Sequence, residues 1–326
     1  MKKLLTVLAS IVAVIVLVVA MIAVVHVVNV KRYAIPGDNP RDKTTYETNA
    51  QVTSIEGEYL NGFHFQPAEK RHKGTIVTFG GSEGSPDYSR AKQLSEQGFE
   101  VYALFFFGQS NQQQELAEVP LEFFDEVSAL IPEGPVTVIG SSKGAELTAN
   151  LAARGAKIDN IVLFTPSEYT YQGLAFGQKE TSSFTQSGQP LPYLSFRNSA
   201  PGPSMKMFGS MILGLPVRYR GIYESIPPKD EARIPIENFK GNGLLFAGDQ
   251  DAMWPGDIAA HKLSERNPNL ESHVYPGAGH LFAEDITSFG PSWEKMLGGT
   301  IDGNRAAKQD SDRILLEKLS EWHPAP

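Results

Sequence analysis

The chain contains no cysteine. That one absence excludes disulfides, thiolate metal sites and a cysteine nucleophile. Basic runs with interleaved aromatics are also missing, and the formal net charge is −8, which excludes a nucleic-acid surface. There is no G-x-x-x-x-G-K-[ST] loop, so the glycine cluster at 80–84 is not read as a phosphate cradle. Neither H-E-x-x-H nor another ligand cluster occurs, and no metal or cofactor is expected. No internal repeat is present, so the chain past its first residues reads as one large domain.

What the sequence does have begins with an apolar run. Leu4 to Val30 is interrupted only by Thr6, Ser10, His26 and Asn29. About 20 apolar residues suffice to cross a bilayer core. The run is longer than the apolar region of a cleaved signal peptide and lacks a small-residue cleavage site. Residues 1–32 are therefore expected to form an uncleaved membrane anchor, with the lipid bilayer as partner. Lys2, Lys3 and the free amine outweigh Lys31 and Arg32 by one charge, which favours a cytoplasmic N-terminus and an extracytoplasmic domain. Residues 33–50, with Pro36, Gly37 and Pro40, have the composition of a linker. The remainder, 51–326, is expected to be the functional domain.

Two alternating segments, 51–58 and 59–66, read as an antiparallel pair of strands. Thereafter short apolar β-branched runs alternate with helical patterns: strands near 74–79, 99–106, 136–139, 158–164, 243–247 and 272–275, and helices near 87–97, 120–131, 145–153, 256–266 and 303–322. This rhythm predicts an α/β fold with a mostly parallel sheet covered on both faces. Residues 167–233 break it. Their aromatics and methionines point to an insertion that caps the site.

The chemistry centres on VTVIGSSKGAELTANLAA, residues 136–153. Gly140, Ser142 and Gly144 form G-x-S-x-G between an apolar strand and a helix, the context in which a sharp turn pushes a serine hydroxyl above the sheet. Ser142 is the expected nucleophile. The strand 243–247 ends in Gly248-Asp249-Gln250-Asp251, so the acid is Asp249 or Asp251, with Asp251 preferred. His280 lies on the small-residue loop Pro276-Gly277-Ala278-Gly279 that follows the last strand. The order Ser, Asp, His is that of α/β-hydrolases. His280 would act as base, Asp251 would orient it, and an acyl-enzyme would form on Ser142. The oxyanion donors would be the Lys143 N–H and either the Gly81 or the Ser82 N–H, after the strand at 74–79.

These pieces resemble the C-terminal catalytic domain of the bile acid-CoA:amino acid N-acyltransferase / acyl-CoA thioesterase family. The resemblance is carried by VTFGGSEGS (77–85), ALFFFG (103–108), VPLEFFDE (119–126), IGSSKGAELT (139–148), SGQPLPYLSF (187–196), IPIENFKGNGLLFAGDQDAMWP (234–255), YPGAGHL (275–281) and GGT…AAKQDS (298–311). It implies an α/β-hydrolase fold and a triad at Ser142, Asp251 and His280. It also implies an acyl thioester or ester as small-molecule substrate. The resemblance departs at two points. Members often carry an N-terminal β-sandwich where this chain has the apolar run and a short lead-in. The amino-acid-transferring members use cysteine as nucleophile, and serine favours hydrolysis. Acyl transfer to a non-water acceptor, or a silent binding module on the same fold, are the alternatives.

Overall fold

The computed structural model describes residues 2–326. Helix α1 (Lys2–Arg32) is long and apolar enough to cross a membrane, and its apolar stretch is not buried against the rest of the chain. Its C-terminal end meets the domain. There His26 Nδ1 donates to the Ile212 carbonyl at 3.1 Å and Asn29 Nδ2 donates to the Leu213 carbonyl at 2.8 Å.

Residues 33–50, read as a linker, make contacts along the domain. The Arg41 guanidinium sits 4.7 Å from the centre of the Phe107 ring, and the Arg41 carbonyl accepts from Gln109 Nε2 at 2.8 Å. Tyr46 joins an aromatic cluster with Phe63 and Tyr88, at centroid distances of 5.4 and 5.0 Å. Burial there pushes its phenol up to about 12. Composition registered the prolines and charges of this segment, but not the aromatic seats that hold it.

The elements then run as the alternation predicted, with boundaries shifted by a few residues. They are β1 (Val52–Glu56), β2 (Asn61–Phe65), β3 (Thr75–Phe79), α2 (Tyr88–Glu96) and β4 (Val101–Phe105). Next come β5 (Val119–Pro120), α3 (Phe123–Leu130), β6 (Val136–Ser141), α4 (Lys143–Ala153) and β7 (Asn160–Phe164). The excursion that follows carries β8 (Phe184–Gln186), β9 (Gln189–Pro190), α5 (Pro201–Ile212) and α6 (Arg220–Ser225). The chain returns through β10 (Asn242–Gly248), α7 (Gly256–Arg266) and β11 (Leu270–Tyr275), and closes with α8 (Trp293–Met296) and α9 (Ile301–Trp322).

Eight strands form one sheet in the order β1-β2-β4-β3-β6-β7-β10-β11. β1 and β2 pair antiparallel, as does β2 with β4, and every later pairing is parallel. β3, β4, β6 and β7 are buried nearly throughout because helices cover both faces. That is why they read as continuous apolar runs. One face packs Phe79, Phe106, Phe123 and Leu147, and the other packs Phe105, Ile139, Phe246 and Leu315. The strand order reverses next to β3, so the loops after β3 and β6 share the crevice where such sheets bind ligands.

The tail is tied to this frame by His323. Its ring is fully buried, with Nδ1 donating to the Lys73 carbonyl and Nε2 at 2.7 Å from Thr137 Oγ1. Burial holds the imidazole below its usual pKa of 6.5. The unfolded chain therefore binds a proton that the folded state refuses, and stability declines as pH falls through about 6.5. Comparing thermal midpoints from pH 7.5 to 5 should show a steeper loss for the native chain than for His323→Gln. Parallel curves would contradict this assignment.

Candidate active site

The turn at Ser142 is built by close backbone approach. β6 ends at Ser141 and α4 begins at Lys143, leaving Ser142 alone at the turn with φ 55° and ψ −117°. An L-residue adopts such a conformation only when its surroundings force it. The flanking glycines make the packing possible. A Cβ on Gly140 would run into the Gly144 carbonyl and Thr148 Oγ1, and one on Gly144 would run into the Gly80 carbonyl. The helix starts two residues earlier than its sequence pattern suggested, directly behind the serine. Its N-terminal partial charge therefore faces the Ser142 side chain.

The structure brings Ser142, His280 and Asp251 together, although they lie far apart in the chain. His280 Nε2 is 2.9 Å from Ser142 Oγ, and His280 Nδ1 is 2.8 Å from Asp251 Oδ2. All three side chains are nearly or fully buried. The other Asp251 oxygen accepts from the N–H groups of Met253 and Trp254 at 2.7 and 3.2 Å, which fixes the carboxylate. Asp249 takes a different post: its Oδ1 accepts from the Gly277 N–H at 2.7 Å and braces the loop that carries His280. That loop is also held by Asn304 of α9, whose Oδ1 accepts from the Gly279 N–H at 2.8 Å. Asn304 gave no signal in the sequence, because an asparagine within a helical pattern reads as surface.

The two candidates for the second oxyanion donor differ. The Gly81 N–H donates to Glu83 Oε1 at 2.9 Å, so a carboxylate occupies it. The Ser82 N–H has no acceptor among the described residues, and neither has the Lys143 N–H. Gly81 does lie against Ser142: a Cβ there would stand 3.2 Å from the Ser142 Cβ.

Beneath the elbow lies a pair that the motif contained without announcing. Lys143 Nζ donates to Glu146 Oε2 at 2.8 Å and to Ser183 Oγ at 2.9 Å, and both charged side chains are buried. Glu146 Oε1 accepts from the Tyr171 N–H at 2.9 Å. Ser183 and Tyr171 belong to the excursion between β7 and β10, so the pair fastens that segment to the turn at Ser142. Burial pushes the Lys143 ammonium down and the Glu146 carboxyl up, while the charge of each opposes the shift of the other. A lysine followed by a glutamate three residues on was visible as an i,i+3 pair. That it is buried was not.

The excursion also lines a cavity of about 380 Å³. Tyr169, Tyr171, Leu194, Tyr223, Ile226 and Trp254 are among its walls. Ser142 is not. Trp254 stands between, with its ring centre 5.9 Å from that of His280.

Removing one member of the Lys143–Glu146 pair strands a buried charge. Lys143→Met or Glu146→Gln alone should each cost about 3–5 kcal/mol in urea unfolding, and the double variant clearly less than their sum. Additive losses would show that the two groups do not act as a pair.

Residues 119–284 match the protein family described as BAAT / Acyl-CoA thioester hydrolase C terminal. Among curated relatives, acyl-coenzyme A amino acid N-acyltransferase 1 of Mus musculus is 24% identical over 281 residues, covering 80% of this chain and 62% of its own. Acyl-coenzyme A thioesterase 6 of Mus musculus is 27% identical over 230 residues, covering 66% of this chain and 50% of its own. The chain thus spans between half and three fifths of the length of these relatives. Among solved structures, the alpha/beta hydrolase GrgF from Penicillium sp. sh18 superposes with a TM-score of 0.51 at 15% identity, covering 83% of this chain and 98% of that one. That likeness is one of fold. With the match covering half its length and the sheet built as described, the chain belongs to the BAAT / acyl-CoA thioester hydrolase C-terminal family and has the α/β-hydrolase fold.

Proposed function

We propose that this protein is a membrane-anchored serine hydrolase that cleaves an acyl thioester or ester through an acyl-enzyme. One observation carries the reading: a serine on a strained elbow lies 2.9 Å from a histidine whose other nitrogen is 2.8 Å from a buried carboxylate. Ser142 Oγ attacks the acyl carbonyl while His280 Nε2 takes its proton. His280 then returns a proton to the leaving thiol or alcohol, and Asp251 holds the imidazole in the tautomer this requires. Water, deprotonated by the same imidazole, releases the acid. The negative charge that develops on the carbonyl oxygen is met by the Lys143 N–H. The second donor is the Gly81 or the Ser82 N–H, and the bond from Gly81 to Glu83 Oε1 favours Ser82.

The acyl thioester class is supported by the relatives, whose names join acyl-coenzyme A to thioesterase or N-acyltransferase activity. A serine nucleophile favours water as acceptor. Residues 167–233 serve as a cap, since they line the cavity beside Trp254 and are fastened to the elbow through Lys143 and Glu146. The cavity is large enough for the apolar part of a small acyl substrate once the Trp254 ring turns aside to join it to the triad. Residues 1–32 act as the anchor and 51–326 as the catalytic domain, held outside the cytoplasm by the charge bias at the two ends of α1.

A fluorophosphonate should label the native chain and leave Ser142→Ala unlabelled. Hydrolysis of matched acyl-CoA thioesters and p-nitrophenyl esters should fall by several orders of magnitude in Ser142→Ala. The loss in Asp251→Asn should be about 10⁴-fold, and Asp249→Asn should retain most activity. Failure of the folded native chain to react with the probe would defeat the proposal. Ser142-dependent cleavage of esters alone, with acyl-CoA ignored, would keep the triad and discard the CoA carrier.

A further inference from the structure

Helix α5 departs from the usual behaviour of an apolar helix in water. None of its residues is buried. Met205, Phe208 and Ile212, spaced i, i+3 and i+7, are 73%, 58% and 56% exposed, and Met211 beside them is 41% exposed. Together they form one stripe. Lys206 is the sole charge on the helix. Contiguous exposed apolar surface of this kind marks an interaction site.

Its position identifies what covers it. The C-terminal end of α5 meets the end of α1 through the His26–Ile212 and Asn29–Leu213 hydrogen bonds. Gly214 packs on the His26 carbonyl at the same place. The apolar run Leu4 to Val30 is about 40 Å long as a helix, some 10 Å more than a bilayer core requires. Its contact with α5 therefore falls at the level of the membrane surface. Two further exposed apolar side chains gather at this foot. Ile35, 60% exposed, follows α1 directly, and Phe289, 37% exposed, precedes Gly290, which packs against Pro36. Lys31 and Arg32 end α1, and with Lys206 they supply cations where anionic headgroups lie.

We propose that α5 is a second membrane-contacting element, lying at the surface of the bilayer that α1 crosses, with Met205, Phe208, Met211 and Ile212 among the acyl chains. The proposal rests on the reading of α1 as an anchor. It places the cap next to the membrane surface. α5 packs against α6, whose Tyr223 ring lies 5.7 Å from that of Trp254, itself 5.9 Å from the His280 ring. α5 thus holds the cap beside the phase in which acyl compounds dissolve.

The lack of native cysteine makes the test direct. Single variants Met205→Cys, Phe208→Cys, Val16→Cys and Leu130→Cys of the full chain would be labelled with an environment-sensitive fluorophore. Each would be reconstituted in vesicles of phosphatidylcholine and phosphatidylglycerol with nitroxide-bearing lipid. Val16 is the reference inside α1. Leu130 precedes β6 at the opposite end of the sheet and is the reference for water. Labels on α5 should be blue-shifted and quenched at least about twofold more than the label at Leu130→Cys. Quenching at Val16→Cys with none on α5 would overturn the proposal and leave the anchor standing. Blue-shifted but unquenched labels on α5 would mean that protein, such as a second copy of the chain, covers the stripe. Absence of quenching at Val16→Cys and on α5 alike would remove the anchor as well.

Discussion

The backbone conformation of Ser142 is the constraint on which the site depends. An L-residue at φ 55° and ψ −117° is held against its preference only if the surrounding chain cannot relax. The restraint is steric and comes from backbone: the Gly144 carbonyl lies over Gly140, and the Gly80 carbonyl lies over Gly144. Three segments, the end of β3, the end of β6 and the start of α4, are thereby locked at one point. The parallel sheet puts those ends at the same edge, and the strain at one residue is sustained by the burial of whole strands around it.

From that point the rest of the site is second-order support. Asp251 holds His280, two backbone N–H groups hold Asp251, and Asp249 and Asn304 hold the loop on which His280 sits. Lys143 works in two directions. Its backbone N–H, next to Ser142, has no acceptor among the described residues, and its ammonium reaches down to Glu146 and Ser183. A shift of the excursion would therefore be felt at the turn at Ser142 through a buried, charge-assisted contact. Such pairs do little for net stability but are costly to break, which suits a fastening more than a core.

The apolar helix α1, the excursion between β7 and β10, and His280 are linked by a chain of contacts. The hydrogen bonds at His26 and Asn29 connect the apolar helix to the excursion, and the rings of Tyr223 and Trp254 connect the excursion to His280.

The strands, their parallel arrangement and the glycine-flanked turn at Ser142 were legible in the sequence, since each rests on local pattern. Buried parallel strands read as apolar runs, and a nucleophile turn needs small residues at fixed spacing. Asp251 could be preferred over Asp249 by motif position, but their separate posts became visible only when Gly277 and His280 were placed beside them. The packing of residues 33–50, the brace at Asn304 and the bond between Glu83 and Gly81 were not legible. They depend on partners distant in the chain or on the path of a loop, and composition carries no record of either. Burial decided the Lys143–Glu146 pair in the same way. The sequence by itself determined which residues could do chemistry, because side-chain type and local periodicity are properties of short segments. Only the tertiary structure decided which of them meet, because contacts between distant segments follow from how the sheet and its helices close around one core.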